Sequence, residues 1–107
     1  MNCVLKALKI LTSYSDEFLK DYFSDKPFFE ENWAPLFEQQ GFKKVLINPV
    51  PFQKRMTVKQ LAGLVSSDEL ILARCAHHVI AIKDKEIYDS EFSWDLCVYH
   101  YYVKKVE

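Results

Sequence analysis

The sequence has few glycines, no excess of basic charge and no long apolar run. Only two of its 107 residues are glycine, whereas half are hydrophobic and 15% are aromatic, which is typical of an ordered globular domain. The formal net charge of −1 disfavours nucleic acid as a partner. No apolar run approaches the roughly 20 residues of a membrane helix. We therefore expect one domain over residues 1–107 that binds neither nucleic acid nor a membrane.

The cysteine content is also low, and the three cysteines are an odd number. The apolar N-terminal stretch contains Lys6 and Lys9, whereas an export signal keeps its hydrophobic region uncharged. We therefore expect reduced thiols and a cytoplasmic location. A zinc site is the rival use of four side chains, Cys75, His77, Cys97 and His100. Because their spacing matches no standard zinc pattern, we expect no metal and no cofactor.

Helical patterns fill the first part of the chain and strand patterns the last part. We expect helices over 2–11, from Ser15 to a break at 25–27, over 32–40 and over 58–65, and strands over 43–47, 69–74, 79–82, 87–88 and 97–103. The third helix is placed at Asn32 because Pro35 then falls within its first turn. The order predicts an α+β fold with N-terminal helices packed on a C-terminal antiparallel sheet.

An aromatic group around the third helix and a loop after it complete the pattern. Phe28, Phe29, Trp33, Leu36 and Phe37 are expected to form a core cluster, since aromatic side chains are routinely buried, and the alternative is a ligand platform. Prolines at 49 and 51 exclude regular strand pairing, so residues 48–51 are expected to form a loop.

A predicted β-hairpin in the last third of the chain carries a histidine and a carboxylate. If its turn is centred on residues 84–85, Ile82 lies opposite Ile87. His78 and Asp89 are then diagonal neighbours, within reach of each other, whereas a three-residue loop would separate them. The alternative for His78 is a histidine that is simply accommodated on a buried strand.

Cys3 is the candidate nucleophile at the other end of the chain. Asn2 is a suitable N-cap, which places Cys3 in the first helical turn. Unpaired backbone N–H groups and the helix dipole favour a thiolate there. The alternative is that Cys3 is a small core residue, since most free cysteines are buried.

These residues lie in runs that resemble a known family. The run Asn2-Cys3-Val4-Leu5-Lys6-Ala7, with His78-Val79-Ile80-Ala81-Ile82-Lys83-Asp84 and Asp89-Ser90, resembles the papain-like cysteine peptidases. More narrowly, it is similar to small papain-like proteins of bacteria and phages, which open with an Asp-Cys-Val-x-Arg-Ala helix and end with a His-x-x-Ala-x-x-Asp-Gly-x-x-x-Asp-Ser/Thr hairpin. The resemblance implies a papain-like fold with Cys3 as nucleophile, His78 as base and Asp89 as the group that orients the histidine.

The sequence departs from the family pattern at several positions. Asn2 stands for the aspartate and Lys6 for the arginine, and Lys85 replaces the hairpin glycine, so we expect a different turn. Many papain-like enzymes place a glutamine before the cysteine to help form the oxyanion hole. Only two residues precede Cys3 here, so the Cys3 backbone N–H and the Asn2 side chain are our candidate donors.

Two function classes follow from the resemblance. The first is a small cysteine hydrolase or transferase, namely a peptidase, amidase or deamidase, that acts on a protein or peptide substrate through Cys3, His78 and Asp89. The alternative is a catalytically silent papain-like binding protein, for example a phage-encoded modulator that acts on a host protein in the host cytoplasm. No pattern in the sequence indicates an oligomeric state.

Overall fold

The structure is a computed structural model that describes residues 2–47, 54–89 and 93–106. The predicted loop at 48–51 and Ser90 of the hairpin motif lie outside these ranges. Four helices and five strands occur in the described part of the chain. The helices are α1 (Cys3–Leu11), α2 (Asp16–Tyr22), α3 (Glu30–Gln39) and α4 (Val58–Leu64), and the strands are β1 (Lys43–Leu46), β2 (Glu69–Cys75), β3 (His78–Lys83), β4 (Glu86–Ile87) and β5 (His100–Lys105).

The strands form one antiparallel sheet in the order β1-β5-β2-β3-β4. Side chains of β2 and β3 alternate between two hydrophobic clusters. Leu72 and Ala81 pack on the side of α1, α2 and α3, whereas Ile71 and Ile80 pack on the side of α4. The α+β class is confirmed, with the addition that a single later helix covers the second face of the sheet.

The N-terminal caps follow the local sequence. The Asn2 side chain accepts hydrogen bonds from the backbone N–H groups of Val4 and Leu5, so α1 begins as predicted. Thr57 and Gln60 form a reciprocal capping box at the start of α4.

The predicted register of the hairpin is confirmed. Ile82 pairs with Ile87, and the two-residue turn consists of Asp84 and Lys85. Both turn residues have positive φ, at 53° and 63°. Lys85 therefore adopts the left-handed backbone that usually favours glycine, and the expectation of a different turn is wrong.

Two predicted starts are wrong by two residues or more. Helix α3 begins at Glu30 rather than at Asn32, because the Asn32 side chain donates to the Pro27 carbonyl, 2.9 Å away, instead of capping a helix. Pro35 consequently lies inside the helix. The last strand begins at His100 rather than at Cys97, which forms only an isolated bridge with Thr57.

Candidate functional site

Cys3 is the first residue of α1 and is partly buried. The N-cap hydrogen bonds of the Asn2 Oδ1 atom are 2.7 Å long to the Val4 N–H and 3.4 Å to the Leu5 N–H. As the first helical residue, Cys3 has a backbone N–H without an acceptor inside the helix. The thiol thus lies at the positive end of the helix dipole, as the sequence predicted.

His78 and Asp89 form the predicted diagonal contact across the hairpin. The Tyr88 N–H donates to the Ala81 carbonyl at 2.9 Å, so the pairing continues beyond the end of β4. The Asp89 Oδ2 atom lies 2.5 Å from the His78 Nε2 atom, and the two side chains are 20% and 29% exposed. Because the carboxylate engages Nε2, Nδ1 is the ring nitrogen that remains to exchange a proton with a nucleophile.

Two cavities bring Cys3 and His78 together. The Trp33 cavity, of about 410 Å³, is lined by Cys3, His78, Trp33, Glu30 and Arg74 among others. The Tyr88 cavity, of about 250 Å³, is lined by Cys3, His78, Tyr88 and Asp89 among others. All three residues predicted from the sequence therefore border one region, although Cys3 is far from the other two along the chain. That the Cys3 thiol lies within hydrogen-bond reach of the His78 ring stays a prediction.

His78 borders these cavities from the end of its strand. Val79 and Ala81 belong to the hydrophobic cluster that contains α1. Ile80 and Ile82, which lie on the same face of the strand as His78, belong to the hydrophobic cluster that contains α4. His78 is the first residue of β3 and pairs with Cys75 across a two-residue turn. His78 nevertheless lines both cavities together with Cys3, so its side chain borders α1.

Asn2 caps the N-terminus of α1, which restricts its use as an oxyanion donor. Its Oδ1 atom is occupied by the two backbone N–H groups, so the side-chain amide could contribute only its Nδ2 atom to an oxyanion hole. The Cys3 backbone N–H remains the second candidate donor.

The sequence reasoning missed the polar group that forms one wall of the Trp33 cavity. The Glu30 Oε2 atom is 2.5 Å from His100 Nε2 and accepts a 2.6 Å hydrogen bond from the Tyr102 hydroxyl. Lys44 Nζ and Arg74 Nε lie at 3.7 and 3.5 Å from the carboxylate. No local signal could have found this group, because its members come from α3 and three different strands.

The charges of this group act on each other. Burial alone would raise the pKa of Glu30, but the hydrogen bonds from Tyr102 and His100 and the electrostatic interactions with His100 and Lys44 hold that pKa below its ordinary value. Burial, together with the Glu30 carboxylate, raises the pKa of Tyr102 well above its ordinary value. Tyr102 therefore remains a donor and Glu30 an anion at neutral pH.

The aromatic residues near the site divide between core and cavity wall. Trp33 and Phe37 are buried, as predicted. Phe28 and Phe29 are 37% and 60% exposed and line the Trp33 cavity, so the expectation that they belong to the core is wrong. The helix begins after Phe29, and this places both rings on the connecting loop.

Of the remaining cysteines and histidines, His77 lines the Trp33 cavity, whereas Cys75 belongs to the hydrophobic cluster beneath α4. Cys75 is buried, and burial raises the pKa of its thiol to about 11. Cys97 is exposed and precedes β5, although a strand was predicted over 97–103. His77 occupies the turn before β3 with a φ of 55°. Among the described residues, no group of three or more histidine, cysteine or acidic side chains is arranged to hold a metal ion.

Comparisons with protein-family models, with curated proteins and with solved structures each found no match. None of the helices within the described ranges has the length and hydrophobicity needed to span a bilayer. The fold and the arrangement of the site residues therefore carry the functional argument.

Proposed function

We propose that this chain is a small papain-like cysteine hydrolase or transferase in which Cys3 is the nucleophile, His78 the general base and Asp89 the orienting acid. The observation that carries the proposal is the 2.5 Å contact between His78 Nε2 and Asp89 Oδ2 at cavities that Cys3 also lines. A nucleophile, a base and a group that orients the base form the set required for acyl transfer.

The reaction begins when His78 accepts the thiol proton and the Cys3 Sγ atom attacks the carbonyl carbon of an amide or ester. The oxyanion that forms is stabilised by the Cys3 backbone N–H, with the Asn2 Nδ2 atom as second donor. The bond to the leaving group breaks, the leaving group takes the proton from His78, and a thioester remains on Cys3. Water or another acceptor then attacks the thioester, gives its proton to His78 and releases Cys3.

The substrate class that accompanies this proposal is a protein or peptide, and the proposed location is the cytoplasm. Three free cysteines support the location, because reduced thiols persist in that compartment.

The alternative is a binding protein that keeps the scaffold without turnover. One observation favours it: the Asn2 Oδ1 atom is engaged as a helix cap, which limits what Asn2 can offer an oxyanion. Loss of one oxyanion donor typically costs about 100- to 1,000-fold in rate.

Alkylation of the three cysteines tests the pairing of Cys3 with His78. At pH 6, iodoacetamide should label Cys3 faster than Cys97, which is exposed and serves as the internal reference. The labelling rate of Cys75 should be about one hundredth of the Cys97 rate or lower, because burial raises the pKa of the Cys75 thiol to about 11. Peptide mass spectrometry over a time course gives the three rates.

The control is His78→Ala, which should bring the Cys3 rate down toward that of Cys97. Equal rates for Cys3 and Cys97 in the wild type, unchanged in His78→Ala, would remove Cys3 as a nucleophile. That outcome would favour the binding protein, which has no need of a coupled thiol.

A further inference from the structure

A third cavity lies between α1 and α2. We call it the apolar groove. Its apolar walls come from Leu5 of α1, Leu19 of α2, Phe23 at the C-cap of α2, and Phe28 of the loop that follows. Its volume is about 400 Å³, within the range of about 300 to 1,000 Å³ that is common for ligand pockets. Charged side chains border it, namely Lys9, Asp16 and Lys20.

The apolar groove adjoins the candidate site. Phe28 lines both the groove and the Trp33 cavity, which also contains Cys3 and His78. Phe28 and its neighbour Phe29 expose much of their rings. Exposed aromatic surface beside a cavity is typical of a binding site, because burying it against a ligand is favourable.

The walls of the groove suit a hydrocarbon chain better than a peptide. The surface that lines the groove is almost entirely apolar and therefore offers few partners for hydrogen bonds. A peptide that entered would have to leave its own amide groups unpaired, at a cost of about 1 to 3 kcal/mol for each unpaired group. A hydrocarbon chain has no such groups and gains only from burial.

We propose that the apolar groove holds the hydrocarbon chain of an acyl substrate whose carbonyl group reaches Cys3 past the ring of Phe28. This inference rests on the proposed function and names its substrate class: an amide or ester of a fatty acid, including an N-acylated peptide. The bonds made and broken are those of the acyl transfer described above, and the released product is the fatty acid or its transfer product.

Ester hydrolysis separates this inference from the proposed function. p-Nitrophenyl acetate and p-nitrophenyl octanoate are compared in a Cys97→Ser background, because the exposed Cys97 thiol would otherwise react with both esters. Hydrolysis of acetate that is lost in Cys3→Ser supports the proposed function. A kcat/KM about tenfold or more higher for octanoate than for acetate supports the groove, because each buried methylene group contributes to binding.

A matched pair of leucine variants tests the groove itself. Leu5→Gln places an amide in the groove wall and should lower the octanoate-to-acetate ratio about threefold or more. Leu64→Gln makes the same change on the exposed face of α4 and should leave that ratio unaltered. Sodium dodecanoate, titrated by calorimetry, should bind the Leu64→Gln protein more tightly than the Leu5→Gln protein.

The outcomes are distinguishable. If acetate hydrolysis depends on Cys3 but the octanoate-to-acetate ratio is equal in the two leucine variants, the apolar groove does not bind the acyl chain. The proposed function is then unaffected. Acetate hydrolysis that does not depend on Cys3 would overturn the proposed function, and dodecanoate binding that Leu5→Gln weakens would still support a hydrocarbon site. Absence of dodecanoate binding to the wild type would overturn the groove in either case.

Discussion

The backbone conformation of Lys85 fits its side chain poorly. A two-residue hairpin turn with positive φ at both central positions matches the twist of the strands, and Asn-Gly or Asp-Gly is the favoured pair. Here Asp84 is followed by Lys85, at a φ of 63°. The Lys85 Nζ atom donates to the Gly63 carbonyl at 3.2 Å, an exposed contact that offsets little of the strain.

Lys85→Gly should stabilise the protein. Glycine avoids the left-handed cost of about 1 to 2 kcal/mol but loses more entropy on folding, so the net gain should be about 0.5 to 1 kcal/mol in the free energy of unfolding. Urea denaturation measures the change. Lys83→Gly is the control, because Lys83 is a strand residue with ordinary φ, and it should destabilise. Equal destabilisation by both variants would contradict the strain at Lys85.

At the scale of elements, Glu30 links the start of α3 to three strands of the sheet. It is the first residue of α3 and contacts side chains from β1, β2 and β5. A carboxylate in the first turn also complements the helix dipole. Glu30 and Arg74 also line the Trp33 cavity, so the contacts that help to hold α3 on the sheet also shape the candidate site.

Glu30→Gln should therefore destabilise the fold in a pH-dependent way. The folded pKa of Glu30 is lowered, so its contribution is present above the unfolded value near 4.3 and is lost as pH falls through the folded value. We expect a loss of about 1.5 to 3 kcal/mol at pH 7, typical of hydrogen bonds to a charged group. The difference from wild type should shrink below about pH 4.

Glu31→Gln is the matched control for this prediction, since Glu31 is exposed on the same helical turn. It should change the free energy of unfolding by less than about 0.5 kcal/mol at any pH between 3 and 8. Thermal or urea unfolding across that range supplies both curves. A pH-independent loss in Glu30→Gln would mean that the carboxylate charge contributes nothing.

The elements that the sequence predicted well are those fixed by local chemistry. The Asn2 cap, the Thr57 capping box and the register of the hairpin each depend on residues within a few positions of one another. The start of α3 was mispredicted because its first residue is held by partners about 70 positions away, which leave no local pattern. Local capping rules favoured Asn32 instead.

The candidate site was predictable in part for the same reason. The contact between His78 and Asp89 follows from the hairpin register alone. No local sequence pattern relates Cys3 to His78, so the prediction that the two residues lie close together depended on the resemblance to papain-like proteins. The apolar groove was not predictable, because its walls come from two helices and a loop whose packing no local pattern specifies.

At the scale of the whole molecule, β2 and β3 join two hydrophobic clusters. Each strand sends alternate side chains to the cluster beneath α1, α2 and α3 and to the cluster beneath α4. A substitution that removes a buried side chain from one cluster should therefore destabilise β2 and β3, which also form part of the other cluster. This arrangement predicts that the two layers unfold together, as expected for one domain.

Leu61→Ala tests that prediction. Leu61 is buried in the α4 cluster, and its truncation should cost about 2 to 5 kcal/mol. In a Trp94→Phe background the fluorescence reports only Trp33, which lies in the opposite cluster. If the layers are coupled, Leu61→Ala shifts the urea midpoint monitored by Trp33 fluorescence as far as the midpoint monitored by circular dichroism. Leu64→Ala changes an exposed residue of the same helix and should shift neither midpoint. A Trp33 midpoint that stays in place while part of the dichroism is lost would mean that α4 unfolds alone and that the single-domain expectation fails.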